Sequence, residues 1–600
     1  MQYQSMPFRA VLGGLLLAGA TFAQEVPAKV STQREAAVYN GPRTLTSMWI
    51  WSDSYTYAPG DALTLRWTVK TNGDLYPYTV FVFRQNNQTG AKTFFPGGAD
   101  ATDIGGNTQA QGFQPAALSD VSKAVLIGSG GRFPALMAPD EPGMHTIVVQ
   151  LRDYTGTRVL KSSYMKFGVV TKTQTISGDI TTDTRLTNDT KWELRGAVFV
   201  KNNATLTVEP GTFVFGQPGS QPPSVLVVTQ NGRISANGTK SRPIVFTSSQ
   251  PVGQRKRGDW GGVILLGKAR VNVAAGTSDG NASGSFFIEG LTTNPDAAYG
   301  GSDDNHNCGS LTYVRVEFAG SILSPNNETN SFTWGGCGKG TVSSHLQASY
   351  GLDDSFEWFG GSADAKYLVG GNGADDYVDF QLGYTGRVQY GIFYQSPDAR
   401  GNRGIEGDNS EYNQAATPAS NPTMYNLSFF GSGQAGFDEA NSPGIFLRRG
   451  ARGTFNNMSV SNFFSSCIDV NDAATQAQGD AGNVKMDGVV CWKNNLGGTP
   501  ADTLAGNIPS ATFNLPYAQG QKGNGAGKNF LVANPLFTRP FEYSDPDFSG
   551  LFGSPLFRVG AVQPPDDGFF DQSAKFIGGI GDENWTEEWT NFLIESDIQP

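Results

Sequence analysis

Histidine is nearly absent from this chain: His145, His306 and His345 are the only three in 600 residues. That excludes a His-rich metal centre and leaves little material for triad chemistry. Cysteine is scarce too, with Cys308, Cys337, Cys467 and Cys491 lacking the CxxC pairs that a zinc site wants. Charge is sparse at 16%, and its balance of −11 argues against nucleic acid, whose binding needs clustered Lys and Arg. One short basic run, Arg255-Lys256-Arg257, reads as a solvated loop, and a second is Arg448-Arg449 with Arg452. Beyond the N-terminus no stretch reaches the roughly 20 apolar residues a membrane-spanning helix requires. The tail after Trp589 leaves no room for a translocating barrel, so an autotransporter is not expected.

What is present is glycine (77 residues), 12% aromatics and abundant Asn, Ser and Thr. This mixture favours short strands joined by tight turns. Six hundred residues exceed one ordinary core, whereas a solenoid absorbs several hundred. Residues 1–23 read as a secretory signal: Arg9, an apolar run from Ala10 to Ala20, then Thr21-Phe22-Ala23 at the cleavage point. No Cys follows that run, so a lipid anchor is not expected. In an oxidising compartment four cysteines form disulfides, and three pairings are possible. Cys308–Cys337 and Cys467–Cys491 are preferred, because separations of 29 and 24 approach one solenoid coil. Stacked coils then bring Cα atoms to about 5 Å, within disulfide reach.

After a polar linker (24–44), residues 45–172 alternate as in an antiparallel sandwich. Leu63, Leu65, Trp67 and Val69 face one way, and Thr146 to Leu151 follows the turn Glu141-Pro142-Gly143. This Pro-Gly turn, strand and Asp/Gly turn resemble bacterial immunoglobulin-like modules, which implies a spacer or cap. From residue 173 to 575 short strand-sized runs recur every 20–30 residues, separated by Gly, Asn and Pro. The phrase Ala204-Thr-Leu-Thr-Val-Glu-Pro-Gly-Thr-Phe-Val-Phe resembles one common in secreted right-handed parallel β-helix proteins. Asn- and Ser-rich corners suit such a fold, because side-chain amides satisfy turn backbones. In the tail (576–600), Trp585, Trp589, Phe592 and Leu593 have helical spacing. A short helix capping the solenoid's open end is expected there.

The sharpest signal is an acidic phrase written twice: Asp353-Asp354-Ser355-Phe356-Glu357-Trp358 and Asp375-Asp376-Tyr377-Val378-Asp379-Phe380, 22 residues apart. On neighbouring coils like residues lie about 4.8 Å apart. Two unit charges at that distance repel by roughly 1 kcal/mol in water and roughly 3–4 kcal/mol at a partly buried site. Alternation puts Phe356 and Trp358 inward, and Asp353 and Glu357 outward above Asp375 and Asp379. Asp354 and Asp376 fall at the corner, where Asp bonds turn amides. Oxygen ligands without nitrogen or sulfur select Ca2+ or Mg2+. Asp303, Asp304, Asp364, Glu406 and Asp408 are further acids that could converge. Three arrangements stay open: a solvated turn-capping ladder, a structural cation site at Asp353, Glu357, Asp375 and Asp379, and a catalytic wall. For catalysis Lys366 and Arg387 are candidate bases, with Arg448 and Arg449 as ligand clamps; paired acids could instead cleave glycosidic bonds.

The run Tyr350 to Gly361, then Lys366, Asp375-Asp376 and Gly404-Ile-Glu-Gly-Asp-Asn409, resembles a family of exported bacterial β-helix proteins. So do Leu311 to Gly320 and the Trp585/Trp589 tail. The family is largely uncharacterised, and the resemblance implies an envelope or surface location more than an activity. The expected protein is all-β: a small antiparallel sandwich, a right-handed parallel β-helix and a short C-terminal capping helix. Its expected role is structural, adhesive or glycan-binding at the cell envelope or surface, stabilised by Ca2+. The partners would be envelope components or extracellular glycan, and the enzymatic alternative is a polysaccharide lyase or glycoside hydrolase.

Overall fold

The computed structural model describes residues 44–592 except 64, 73–78, 96–124, 128–135, 153–158, 221, 274–285, 289–290, 292–293, 325–326, 399–400, 435, 437–441, 495–529 and 558–559. The expected signal segment 1–23 and the expected linker up to residue 43 therefore lie outside the described residues. Residues 44–169 form a three-stranded sheet, a five-stranded sheet and the short antiparallel pair Ala62–Leu63 with Leu136–Met137. Thr44–Ser52 pairs antiparallel with Leu65–Asn72, which in turn pairs with Val125–Ile127. In the second sheet Thr79–Asn86 lies between Lys92–Phe95 and Gly143–Arg152, and Val159–Val169 follows.

From Lys172 onward the ladders turn parallel, starting with Lys172–Ser177 on Thr190–Arg195. The coils stack into a sixteen-stranded and a nine-stranded sheet, the architecture of a parallel β-helix. The last coil strand is Phe530–Val532. The solenoid thus closes before the expected residue 575, and the antiparallel pair Phe537–Arg539 and Asp547–Gly550 follows. Both expected disulfides form, with Cα–Cα distances of 5.9 Å for Cys308–Cys337 and 6.0 Å for Cys467–Cys491.

Apolar side chains stack inside the coils. Phe332 lies on Phe356 at 5.4 Å and Trp334 on Trp358 at 4.8 Å, so the inward face of the first acidic phrase is as its alternation implied. Full burial of each such side chain contributes about 1.5–3 kcal/mol. The long strands of the larger sheet bend at one left-handed residue apiece: Tyr313, His345, Tyr367, Tyr390, Asn426 and Asn457, with φ between 49° and 65°. Each bend costs of order 1–3 kcal/mol for a residue with a Cβ. Ring stacking offsets this at the lower coils, at 4.1 Å for Tyr313–His345 and 4.3 Å for His345–Tyr367. Asn426 and Asn457 turn their side-chain amides to the C-terminal segment: Asn426 Nδ2 donates to the Phe576 carbonyl at 2.7 Å, and Asn457 donates to the Val562 carbonyl and accepts from Val562 N–H.

The outer face of the larger sheet is covered twice. Near the start, Met144 and Tyr55 of the N-terminal segment pack on Phe213, Phe215 and Val245. Farther along, Phe548, Ile580 and Trp589 of the C-terminal segment pack on Val369, Ile392, Tyr394 and Phe430. The expected capping helix does not form among the described residues. Trp585 and Trp589 sit in turns on the flank of the coils, edge-on to the stacked rings. Tertiary partners override the helical spacing: Asn591 N–H donates to Gln347 Oε1 at 2.8 Å and Gly579 N–H to Ser428 Oγ at 2.9 Å. Among the described residues the α-helix that does form is Ala473–Asp480, capped by Asp472, which accepts from Thr475 N at 2.9 Å. The run Arg255-Lys256-Arg257 is not a solvated loop at Arg255. That guanidinium is buried between the rings of Tyr55 and Phe318 at 4.5 Å each and is paired, like Arg315, with buried Glu317.

Candidate functional site

The smaller sheet carries the acids. Its strands Phe332–Gly335, Phe356–Phe359, Val378–Gln381, Ile405–Asp408 and Ile445–Arg448 stack in parallel. Their second residues form one outward column: Thr333, Glu357, Asp379, Glu406 and Phe446. Three carboxylates therefore occupy consecutive rungs, about 4.8 Å apart by strand spacing. The register of Glu357 on Asp379 is the one the repeat implied; Glu406 adds the third rung.

A second column runs along the corner two residues before each strand: Asn330, Asp354, Asp376 and Arg403. Asn330 Oδ1 accepts from Asp354 N at 3.1 Å, and Asp354 Oδ1 accepts from Asp376 N at 2.9 Å. The turn-capping role expected for Asp354 is present. Arg403 breaks the run of acids and supplies a cation there. Its guanidinium pairs with Asp376 Oδ2 at 3.3 Å and also with Glu406.

Carboxylate oxygens of Asp354, Glu357 and Asp379 lie within 4.8 Å of one another, and so do those of Asp376, Asp379 and Glu406. Asp353 and Asp375 form a third group with Asp354. The four expected ligands thus divide: Glu357 and Asp379 share the column, while Asp353 and Asp375 stand beside its corner. The wall is outward but not solvated, contrary to the open patch expected. Asp354, Glu357, Asp376 and Glu406 are all buried and Asp379 is partly so. Side-chain amides cover Glu357, with Gln381 Nε2 donating to Oε1 at 3.0 Å and Asn330 Nδ2 to Oε2. Asp376 Oδ1 and Asp379 Oδ1 are sealed from solvent without a hydrogen-bond partner.

Burial is the first cause of the titration shifts here. It pushes Asp376 up to about 6, against the opposing pull of Arg403. Asp354 and Asp379 are raised well above the carboxylate range by burial and by their acidic neighbours. Glu406 is raised by burial and then by Asp376. Such oxygens need a proton or a cation.

The arginines expected as ligand clamps are engaged within the wall. Arg448 Nε pairs with Asp408 at 2.9 Å and its Nη2 with Glu406, while Arg449 pairs with Asp408 at 2.6 Å and Glu411 at 3.4 Å. The candidate bases lie elsewhere. Lys366 and Arg387 belong to strands of the larger sheet, 4.6 Å from the Phe569 ring, and Arg387 is locked to Asp364 and Asp567. Asp364 is thereby used, and Asp304 is held by Arg270. The structure does not bring these groups to the acids, because they project from a different side of the coil.

Residues 178–532 match the family model of the pectate-lyase-like β-helix domain, and the chain belongs to that family. No curated protein matches the sequence. Among solved structures, similarity is distant. The catalytic domain of a GH87 α-1,3-glucanase in complex with nigerose is 12% identical, with 76% of this chain and 95% of that chain covered and a TM-score of 0.21. A Yersinia enterocolitica family 28 exopolygalacturonase is 11% identical over 76% of this chain and 92% of that chain, with a TM-score of 0.18. At such scores the activities of those two enzymes say nothing about the acids of this column. No helix among the described residues is long and apolar enough to cross a membrane.

Proposed function

We propose that this chain is an exported, non-catalytic β-helix protein of the cell envelope or surface, with a structural, adhesive or glycan-binding role, whose acidic column holds Ca2+. The observation that carries the cation is the stack of Glu357, Asp379 and Glu406 on consecutive rungs, with sealed, unpartnered oxygens on Asp376 and Asp379. Arg403 neutralises the Asp376/Glu406 side. Arg448 acts on Asp379 from the rung above, and the clustered oxygens of Asp354, Glu357 and Asp379 are of the type Ca2+ takes at 2.3–2.6 Å. Asp353 and Asp375 stand near enough to Asp354 to support its orientation.

Export is supported by the N-terminal apolar segment and by two disulfides that use all four cysteines. A non-catalytic role is favoured by the placement of Lys366 and Arg387 away from the acids and by the self-pairing of Arg448 and Arg449. The test is thermal melting in EDTA and in added Ca2+, with metal content measured on the purified protein. A melting temperature indifferent to both, in a protein without bound metal, would rule the cation out. Release of unsaturated ends or reducing sugars from a polysaccharide panel would replace the non-catalytic reading by the lyase or hydrolase one.

A further inference from the structure

Where the five-stranded N-terminal sheet meets the solenoid, an amine and a carboxamide are held against the same two oxygens. Lys166 stands on Val159–Val169 opposite Thr146 of Gly143–Arg152. Asn87 follows Thr79–Asn86, on the other side of that middle strand. Lys166 Nζ donates to Thr146 Oγ1 at 3.3 Å and to the Ser241 carbonyl, in a solenoid turn closed by Thr239 and Arg242, at 3.1 Å. Asn87 Nδ2 donates to the same hydroxyl at 2.8 Å and to the same carbonyl at 2.7 Å. Thr146 Oγ1 in turn donates to Asn87 Oδ1 at 3.0 Å, so one donation and two acceptances use the whole hydroxyl. Thr146 is buried, and among the described residues no carboxylate forms an ion pair with Lys166. Burial pushes the Lys166 ammonium down to about 8, against the pull of Glu588, which brings the neutral amine within reach near neutral pH.

We propose that Lys166 and Asn87 join in an intramolecular isopeptide bond, which closes the N-terminal sheet covalently beside the solenoid. Lys166 Nζ, as the free amine, attacks Asn87 Cγ. The Nζ–Cγ bond forms, the Cγ–Nδ2 bond breaks, and Nδ2 leaves as ammonia with one proton gained from the amine. The Thr146 hydroxyl meets the charge that develops on Oδ1 and then carries that proton from Nζ to Nδ2. Amine and carboxamide are fixed on shared partners, so no encounter has to be arranged by diffusion. The product also removes a buried ammonium that has no carboxylate opposite it, which favours the bond. A sheet closed between Asn87 and Lys166 cannot be drawn out over that stretch of chain. The bond is independent of the cation proposed above.

The experiment is peptide mass spectrometry of the full mature protein, digested with trypsin after reduction. Linkage makes the chain resist cleavage at Lys166 and yields one branched species, residues 85–92 joined to residues 162–172, lighter than the two peptides together by one ammonia. The branch has to be read in peptides because Gln24, the expected mature N-terminus, also loses ammonia when it cyclises. Linear 85–92 should be lost from the wild type and recovered in full from Lys166→Arg, which keeps the charge. Thr146→Val should lower the linked fraction of freshly synthesised protein by about tenfold or more. Recovery of both linear peptides from folded wild type after prolonged incubation, a branch that maps to Asn86 or Gln88, or a wild-type linked fraction in Thr146→Val overturns the proposal.

Discussion

Replacing Asp379 by Asn tests the acid column most directly, because Asp379 is the middle rung and belongs to two of the three carboxylate groups. With all three rungs ionised and no cation present, Asp379 is repelled by Glu357 below and Glu406 above. Each repulsion is roughly 3–4 kcal/mol at 4.8 Å with an effective dielectric constant of 20. Arg403 and Arg448 offset part of the upper one, so the net relief on neutralising Asp379 is of order 3 kcal/mol. Unfolding entropy of about 2.1 cal/mol/K per residue over roughly 550 residues converts this to an apparent shift of about 2–3 °C. At pH 8 in EDTA, Asp379→Asn should therefore melt above the wild type. In millimolar Ca2+ the order should reverse, since the wild type gains a ligand that the variant has lost. Acid should erase the difference. Burial raises Asp376 to about 6, so the folded state binds protons more tightly than the unfolded one. The stability this confers is present below about pH 4 and is lost as pH rises through about 6. At pH 5 protons replace the cation and the two proteins should melt within a degree of each other. Differential scanning calorimetry in these three buffers decides it. A variant that melts below the wild type in EDTA at pH 8, or keeps the full Ca2+ shift, refutes the reasoning.

Other outcomes are expected from the same structure. Arg255→Ala leaves buried Glu317 with Arg315 as its remaining cation among the described residues, and breaking such a network costs about 3–5 kcal/mol; a denaturant midpoint unchanged from wild type would contradict this. Trp589→Ala opens the seam between the C-terminal segment and the stacked rings and should cost about 3–5 kcal/mol, seen also as proteolysis near residue 580. His345, between the rings of Tyr313 and Tyr367, is pushed down to about 4 by burial and then by Lys240. Stability from its neutral form is present above about pH 6.5 and lost as pH falls towards 4, up to about 3 kcal/mol; an NMR titration midpoint near 6.5 would show the ring to be solvated. Cys308→Ser removes a 29-residue loop closure worth about 3–4 kcal/mol, so the variant should melt below the wild type, and as low as the reduced wild type only if Cys467–Cys491 adds little.

Local chemistry determined much of this protein without help. The alternation Phe356, Trp358 inward and Glu357 outward follows from the pleat, and two phrases 22 residues apart could pair only as they do once coils stack. The cysteine pairs followed from the same coil length. Glu406 was among the acids expected to converge, but its place as the third rung was hidden because the next step is 27 residues, not 22, and a loop insertion destroys a repeat without disturbing the register. Arg403 at the position of Asp376 was invisible for the same reason. What only the tertiary structure decided is which outward faces stay outward. The N-terminal and C-terminal segments claim the larger sheet, draw Arg255 into a buried ion cluster, and hold Trp585 and Trp589 in turns despite their helical spacing. Burial of the acid wall, too, depends on neighbours such as Asn330 and Gln381 reaching across from other coils. Periodicity is written along the chain, whereas coverage and dielectric are set by segments hundreds of residues away.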